Sequence, residues 1–139
     1  MRLHIVARGK IGRGAEAALV DTYLKRIAWP VKISELGDAQ AVPARAHDTL
    51  HIILDERGES LTSRQFADRL QRWRDEGKRE AHFLIGPADG FGDEDRRQAD
   101  LTMSFGKATW PHLLVRAMLA EQLWRATSII AGHPYHREA

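Results

Sequence analysis

Five short apolar runs, rich in β-branched residues, alternate along the chain with longer stretches of helical period. That alternation restricts the fold to an α/β domain with a mainly parallel sheet flanked by helices. Leu3-His4-Ile5-Val6-Ala7 reads as the first strand, and Ala15 to Ala28 as a one-sided helix through Ala18, Leu19, Tyr23, Leu24 and Ile27. Trp29-Pro30 ends it, and Val31 to Leu36 reads as a second strand. Gly37 to Asp48 has little periodicity and reads as a loop. Leu50 to Leu54 is nearly continuous in apolar residues, as a buried parallel strand should be, and Asp55 to Gly58 reads as the turn after it. Thr62 and Gln65 have capping-box spacing ahead of a helix with Phe66, Leu70 and Trp73 on one stripe and Gly77 at its end. His82 to Ile85 and Leu101 to Ser104 are the remaining strands, separated by an acidic helix start at Asp93.

The last segment, Pro111 to Ile130, is apolar around far more than one stripe, at Leu113, Leu114, Ala117, Met118, Leu119, Ala120, Leu123, Trp124, Ile129 and Ile130. A helix that apolar must be covered on more than one side. The sheet is one cover, and a second copy of the chain is the expected other, which predicts a homodimer.

The chain has 139 residues, enough for one domain with its own core, and the whole of 1–139 is read as that domain. It contains no cysteine, which excludes disulfide frameworks, thiolate metal sites and cysteine nucleophiles. No apolar run approaches the ~20 residues of a membrane span, and the start lacks a signal-peptide core, so a cytoplasmic protein is expected. Basic residues number 21 against 19 acidic, a balance too even for a protein that coats nucleic acid. All but Lys10, Lys25, Lys32, Lys78 and Lys107 of the basic residues are arginine, however, the side chain suited to phosphate. An RNA partner is permitted but not demanded.

Ligands of open α/β sheets bind beyond the carboxyl ends of the strands, here the turns after Leu54, Ile85 and Ser104. Gly86 ends a buried strand without a Cβ, which opens its backbone to a ligand. The loop Phe105-Gly106-Lys107-Ala108-Thr109-Trp110 exposes amides and ends on a ring able to cover a flat group. Gly9, Gly12 and Gly14 lie between a strand and a helix but reverse the dinucleotide-loop spacing, and read as an ordinary turn. No nucleophile elbow occurs. His133 and His136 lack a third nearby ligand candidate, so no metal is expected, and His51 and His82 read as sheet residues.

Three segments taken together carry a resemblance. They are Leu54 to Ser63, Phe83 to Gly90, and Met103 to Glu138, the last containing Pro111-His112-Leu113-Leu114-Val115-Arg116 and terminal His133-Pro134-Tyr135-His136-Arg137-Glu138. The chain resembles the RlmH family, SPOUT-class methyltransferases of 23S rRNA, over essentially its whole length. The resemblance implies a SPOUT-type α/β fold with a C-terminal trefoil knot, a homodimer, and S-adenosyl-L-methionine as cofactor. It also implies methylation of N3 of a pseudouridine in the helix 69 loop of 23S rRNA, on the assembled ribosome, with neither metal nor membrane involved.

Cofactor contacts implied by the resemblance fall at Leu54, at Gly86 and along Phe105, Gly106, Lys107, Ala108, Thr109 and Trp110. The catalytic candidates are His133, Tyr135, His136 and Arg137 in the tail, with Arg116; none is singled out as the base that removes the N3 proton. Aromatic rings and arginine are the means by which an unstacked RNA base is held. Whether the tail serves its own chain's pocket or the partner's stays open. Two other readings remain: a non-catalytic knotted RNA- or ribosome-binding dimer, and a SPOUT enzyme for another RNA site. The chain departs from the family pattern at Pro87, often glycine, and at Gly106, often serine. The Gly37–Asp48 region is also shorter than usual, so a peripheral helix is expected to be missing.

Overall fold

A computed structural model describes residues 1–86 and 91–137. Its elements follow the expected order: β1 (Arg2–Arg8), α1 (Ala15–Arg26), β2 (Val31–Leu36), β3 (Thr49–Ser60), α2 (Ser63–Asp75), β4 (Glu80–Ile85), α3 (Asp93–Gln98), β5 (Leu101–Ser104) and α4 (His112–Ala131). The five strands form one sheet in the order β2-β1-β4-β3-β5, and every pairing is parallel. No helix is placed between Leu36 and Thr49, as expected from the short loop. Among the described residues no helix is long and apolar enough to cross a membrane.

Local chemistry explains the boundaries. Thr62 caps α2 reciprocally: its hydroxyl accepts from the Gln65 amide at 3.0 Å, and the Gln65 side chain accepts from the Thr62 amide at 2.9 Å. Gly132 ends α4 in the left-handed region at φ 74°, and the His133 amide then reaches back to the Ser128 carbonyl at 2.9 Å.

The two faces of the sheet are unequal. Leu3, Ile5, Ile52, Leu54, Phe83, Ile85 and Met103 point to one face and pack with Phe66, Leu70, Leu119 and Leu123 of the helices. On that face α4 packs against both α1 and α2. The breadth of the apolar helix is thus largely covered within one chain, by two helices as well as the sheet, and does not by itself require a second copy. The other face carries a smaller cluster of Val6, Ile53 and Leu84 with Leu36, Phe91 and Ala99 packed on it. Alternation puts His4, His82 and His51 on that thinner side, in one register row across β1, β4 and β3. Burial, then Lys32 and His82, hold His4 below the usual imidazole range. His51 is lowered by burial, then by His82 and Arg45.

One strand departs from expectation. Asp55–Gly58 is not the end of β3: Leu54 and Glu59 both lie opposite Met103, residues 55–58 bulge out between them, and pairing resumes at Ser60 with Ser104. Gly58 makes this possible. A Cβ there would stand 2.5 Å from the Thr102 carbonyl oxygen and 2.6 Å from the Met103 nitrogen.

Arg116 is a second organising contact. Its side chain is fully buried (0% exposed) at the start of α4. One Nη donates to Glu35 Oε2 at 2.6 Å, and the other to the carbonyls of Arg8 and Gly9 at 2.9 and 2.7 Å. Glu35 also accepts from the Ile11 amide at 2.7 Å. Burial pushes the Glu35 carboxyl up, but the Ile11 amide and the Arg116 guanidinium outweigh it and hold it below the usual range. Arg116, expected in a catalytic group, is fully buried with both Nη held by β1, β2 and the turn after β1, while its Nε has no hydrogen-bond partner among the described residues.

Three outcomes follow. Gly58→Ala should lose about 1–3 kcal/mol in denaturant melts, because backbone and not a movable side chain blocks the new methyl; Gly37→Ala, whose Cβ would meet only the Gln40 side chain at 3.5 Å, serves as the near-neutral control. Arg116→Ala should cost about 3 kcal/mol, leaving Glu35 and two carbonyls without their donor. Because folding lowers the Glu35 pKa, its contribution is present above the ordinary carboxyl value of 4.5 and fades as pH falls through the lowered one. Acid titration of stability in that range should accordingly be shallower in Glu35→Gln.

Candidate functional site

The bulge of β3 and the carboxyl ends of β4 and β5 open into a cavity of about 560 Å³. Leu54, Gly86, Phe105, Gly106, Ala108, Thr109 and Trp110 all line it, so the three turns singled out from the sequence converge on one space. Lys107, in the same loop, is exposed and does not line the cavity. Pro87 and the Ala88-Asp89-Gly90 turn lie outside the described residues.

The loop before α4 is shaped by its own hydrogen bonds. Ser104 Oγ accepts from the Gly106 amide at 2.9 Å and donates to the Gly106 carbonyl at 2.7 Å, with Gly106 at φ 110°, a conformation that favours glycine. Glycine where the family often has serine therefore matches the backbone observed. Trp110 Nε1 donates to the Phe105 carbonyl at 3.2 Å while its ring stays 42% exposed at the mouth. Thr109 Oγ1 donates to Glu56 Oε2 at 2.7 Å and so ties this loop to the β3 bulge. Helix α4 starts at the cavity wall, with Pro111, His112 and Val115 lining it. Among the described residues no side chain caps that end, so its first-turn amides stand without a capping partner where an anionic group could meet them.

Gly86 has a role the sequence did not reveal. The place of its missing Cβ is taken by the Phe91 ring, 2.9 Å from where that atom would stand. Phe91 and Arg96 form the remaining wall, and Arg96 is held by the Phe91 carbonyl at 2.7 Å, by Asp55 at 3.3 Å and by Asp93. Sequence reasoning missed both residues because their positions depend on how α3 docks, which no local spacing encodes.

The tail forms a cluster of its own, folded back onto the middle of α4. The Tyr135 ring stacks on Trp124 with centroids 3.7 Å apart at 31°, and Arg125 lies over Tyr135 at 4.7 Å. Arg125 also contacts His136 Nδ1 at 3.0 Å, donates to the Tyr135 hydroxyl at 3.3 Å, and pairs with Glu121 at 2.6 Å. The Tyr135 amide donates to His133 Nδ1 at 3.2 Å. Arg137 is exposed. Burial, then Glu121, push the Tyr135 phenol above its ordinary value, so it keeps its proton near neutrality and is a poor base. The structure thus joins Tyr135 and His136 through Arg125 and sets Arg116 apart from them. Glu121, Trp124 and Arg125 were not among the candidates; the only local signal was the i, i+4 spacing of Glu121 and Arg125.

None of His133, Tyr135, His136 and Arg137 lines the cavity. On α4 the tail packs against Glu121, Trp124 and Arg125 while His112 and Val115 line the cavity, so along the helix axis the two clusters lie about 9–20 Å apart at 1.5 Å per residue.

Comparison with known proteins agrees with this architecture. Residues 1–136 match the family described as "Predicted SPOUT methyltransferase". A protein from Rhizorhabdus wittichii named "Ribosomal RNA large subunit methyltransferase H" is 66% identical over 139 residues, covering 99% of each chain. Proteins of the same name from Sphingopyxis alaskensis and Novosphingobium aromaticivorans are 63% and 60% identical, with 99% of this chain covered in each case and 98% and 99% of theirs. The solved structure of a probable methylase family protein from Haemophilus influenzae Rd KW20 superposes with a TM-score of 0.59 at 8% identity, over 99% of this chain and 70% of that one, a likeness of fold. The parallel five-stranded sheet, the cavity at its carboxyl edge and the match across nearly the full length lead to one conclusion: the chain belongs to the SPOUT methyltransferase family.

Proposed function

We propose that this protein is a large-subunit rRNA methyltransferase that uses S-adenosyl-L-methionine to methylate N3 of a pseudouridine in the helix 69 loop of 23S rRNA. In this reading it is a single knotted domain over 1–139 that works as a homodimer. The observation that carries the reading is the convergence of Leu54, Gly86 and the Phe105–Trp110 loop on one cavity of about 560 Å³. The names and high identity of the relatives supply the substrate class.

The residues present fit the cofactor. The volume suits a nucleoside-sized ligand. Leu54, Ile85 and Phe105 offer apolar walls for a flat base, and the uncapped start of α4 offers amides to a carboxylate. When bound, the cofactor supplies an electrophilic methyl group.

The chain's own part is alignment and proton removal. Transfer to N3 forms a carbon–nitrogen bond, breaks the carbon–sulfur bond and releases the N3 proton. Trp110 at the mouth covers the flat group, while Tyr135, still a neutral phenol, holds the target base by stacking. His133 and His136 are then the proton acceptors, Arg125 positions Tyr135 and His136, and Arg137 meets phosphate.

No tail residue lines the cavity of its own chain, which favours a tail that completes the partner's cavity. The exposed Leu19 beside Tyr23, Leu114 and Met118 offers apolar surface for that dimer.

Three measurements test this. Gly86→Val, which drives a methyl group into the Phe91 ring at the cavity wall, should abolish calorimetric cofactor binding while the melting temperature stays near wild type; unchanged affinity places the cofactor elsewhere. Deleting residues 135–139 should leave cofactor binding intact and reduce methyl transfer to ribosomes from a strain lacking the enzyme by more than about 1000-fold, since alignment and proton removal are lost together. Mixed dimers of the two inactive chains should regain up to half the activity, because the truncated chain keeps a cavity and the Gly86→Val chain lends a tail. Inactivity of that mixed dimer would place each tail in its own chain's site.

A further inference from the structure

The thinner face of the sheet carries a second cluster, at the amino ends of the strands and so at the opposite edge from the cavity. His4 and His82 are register neighbours on β1 and β4, and Glu80 lies two residues before His82 on the same face. Glu80 Oε1 is 3.3 Å from His82 Nε2 and 3.7 Å from His4 Nδ1, and the three ligand atoms all lie within 4.8 Å of one another. His4 is 4% and His82 3% exposed, while the Glu80 side chain is 20% exposed, which leaves a way in from solvent.

Two features distinguish this group from ordinary sheet histidines. First, His4 Nδ1 is buried with no hydrogen-bond partner and faces the cluster. An unpaired buried nitrogen is costly and calls for a partner. Second, the other nitrogen of each ring is already held. His4 Nε2 meets Ser34 Oγ at 2.7 Å, and His82 Nδ1 meets His51 Nε2 at 3.2 Å. Metal-binding imidazoles show this pattern, in which an outer partner fixes the tautomer and aims the free nitrogen at the ion. Arg2 neighbours the other Glu80 oxygen at 3.5 Å, leaving Oε1 turned to the histidines.

We propose that His4 Nδ1, His82 Nε2 and Glu80 Oε1 bind a divalent transition-metal ion of the zinc type, with Ser34 and His51 as positioning residues. Two imidazoles and one carboxylate, with a fourth position left to water, suit Zn²⁺. Bonds of about 2.0–2.1 Å in tetrahedral geometry put ligand atoms about 3.4 Å apart, which the separations of 3.3 and 3.7 Å from Glu80 approach; the two histidine nitrogens, within 4.8 Å, would close toward the same distance. The ion would cross-link β1 to β4 at the edge remote from the cavity, a structural role separate from methyl transfer. The proposal departs from the expectation of a metal-free protein with His82 as a sheet residue.

The test is Zn²⁺ titration of the full chain after dialysis against chelator, read by calorimetry and by melting temperature. Wild type should bind one equivalent with a Kd below about 1 µM and melt higher when loaded. Glu80→Gln, at the part-exposed ligand, and His82→Asn should each weaken binding by more than about 100-fold, and Ser34→Ala by about 10-fold. Circular dichroism of each unloaded variant checks its fold, and Glu80→Gln carries the test should His82→Asn fail to fold. Co²⁺ should give the intense visible bands of a four-coordinate site in wild type and not in Glu80→Gln. Equal Zn²⁺ affinity in wild type and Glu80→Gln, or no wild-type binding tighter than about 10 µM, would overturn the proposal, the residual affinity then belonging to surface histidines such as His47 and His133.

Discussion

The buried guanidinium of Arg116 is the contact on which the arrangement depends. It reaches from the second turn of α4 to the carbonyls of Arg8 and Gly9 and to the carboxylate of Glu35. Those groups sit where β1 and β2 end, so one side chain fixes the start of the last helix against the carboxyl edge of the sheet. The helix in turn supplies one wall of the cavity and, through its length, decides where the tail stands. A charge taken this far from water depends on acceptors of fixed position, here the three that meet its two Nη, so helix and strand ends are held in one geometry.

Much of this was legible in the chain. The order of strands and helices, the reciprocal cap of Thr62 and Gln65, and the three turns that form the cavity all rest on local chemistry: period, capping spacing and glycine placement. What stayed hidden depends on contacts between segments far apart in sequence. The β3 bulge exists because Gly58 lies against the backbone of Thr102 and Met103. Phe91 fills the space above Gly86 only because α3 docks as it does. Arg116 looked like a phosphate fork because an arginine beside an apolar helix start gives no sign of the carbonyls that will surround it. Likewise His4, His82 and Glu80 meet only through strand register, which no run of neighbouring residues encodes.

The tail shows how a short terminal segment becomes ordered without a core. Stacking on Trp124, hydrogen bonds from Arg125 and the left-handed Gly132 together turn the chain back onto α4. Trp124 is itself packed against Tyr23 at 5.7 Å and lies under Arg26 at 4.8 Å, which connects the tail to α1. The aromatic stack and the guanidinium that order this segment are the same groups that would present a base to a neighbouring cavity. On the proposed function, order and readiness for the substrate come from one set of contacts.

The strand order also has a consequence for synthesis. β1 is made first, yet one of its two neighbours is β4, with Leu3 opposite Ala81. Until most of the chain has been translated, β1 has only β2 beside it and keeps an open hydrogen-bonding edge. Closing so long a loop is entropically slow, and an apolar strand edge waiting for its partner is vulnerable to pairing with another chain. His4 and Arg2, polar groups at the start of that edge, interrupt its apolar character during the wait. The centre of the finished sheet is therefore the part of the nascent chain that stays incomplete longest.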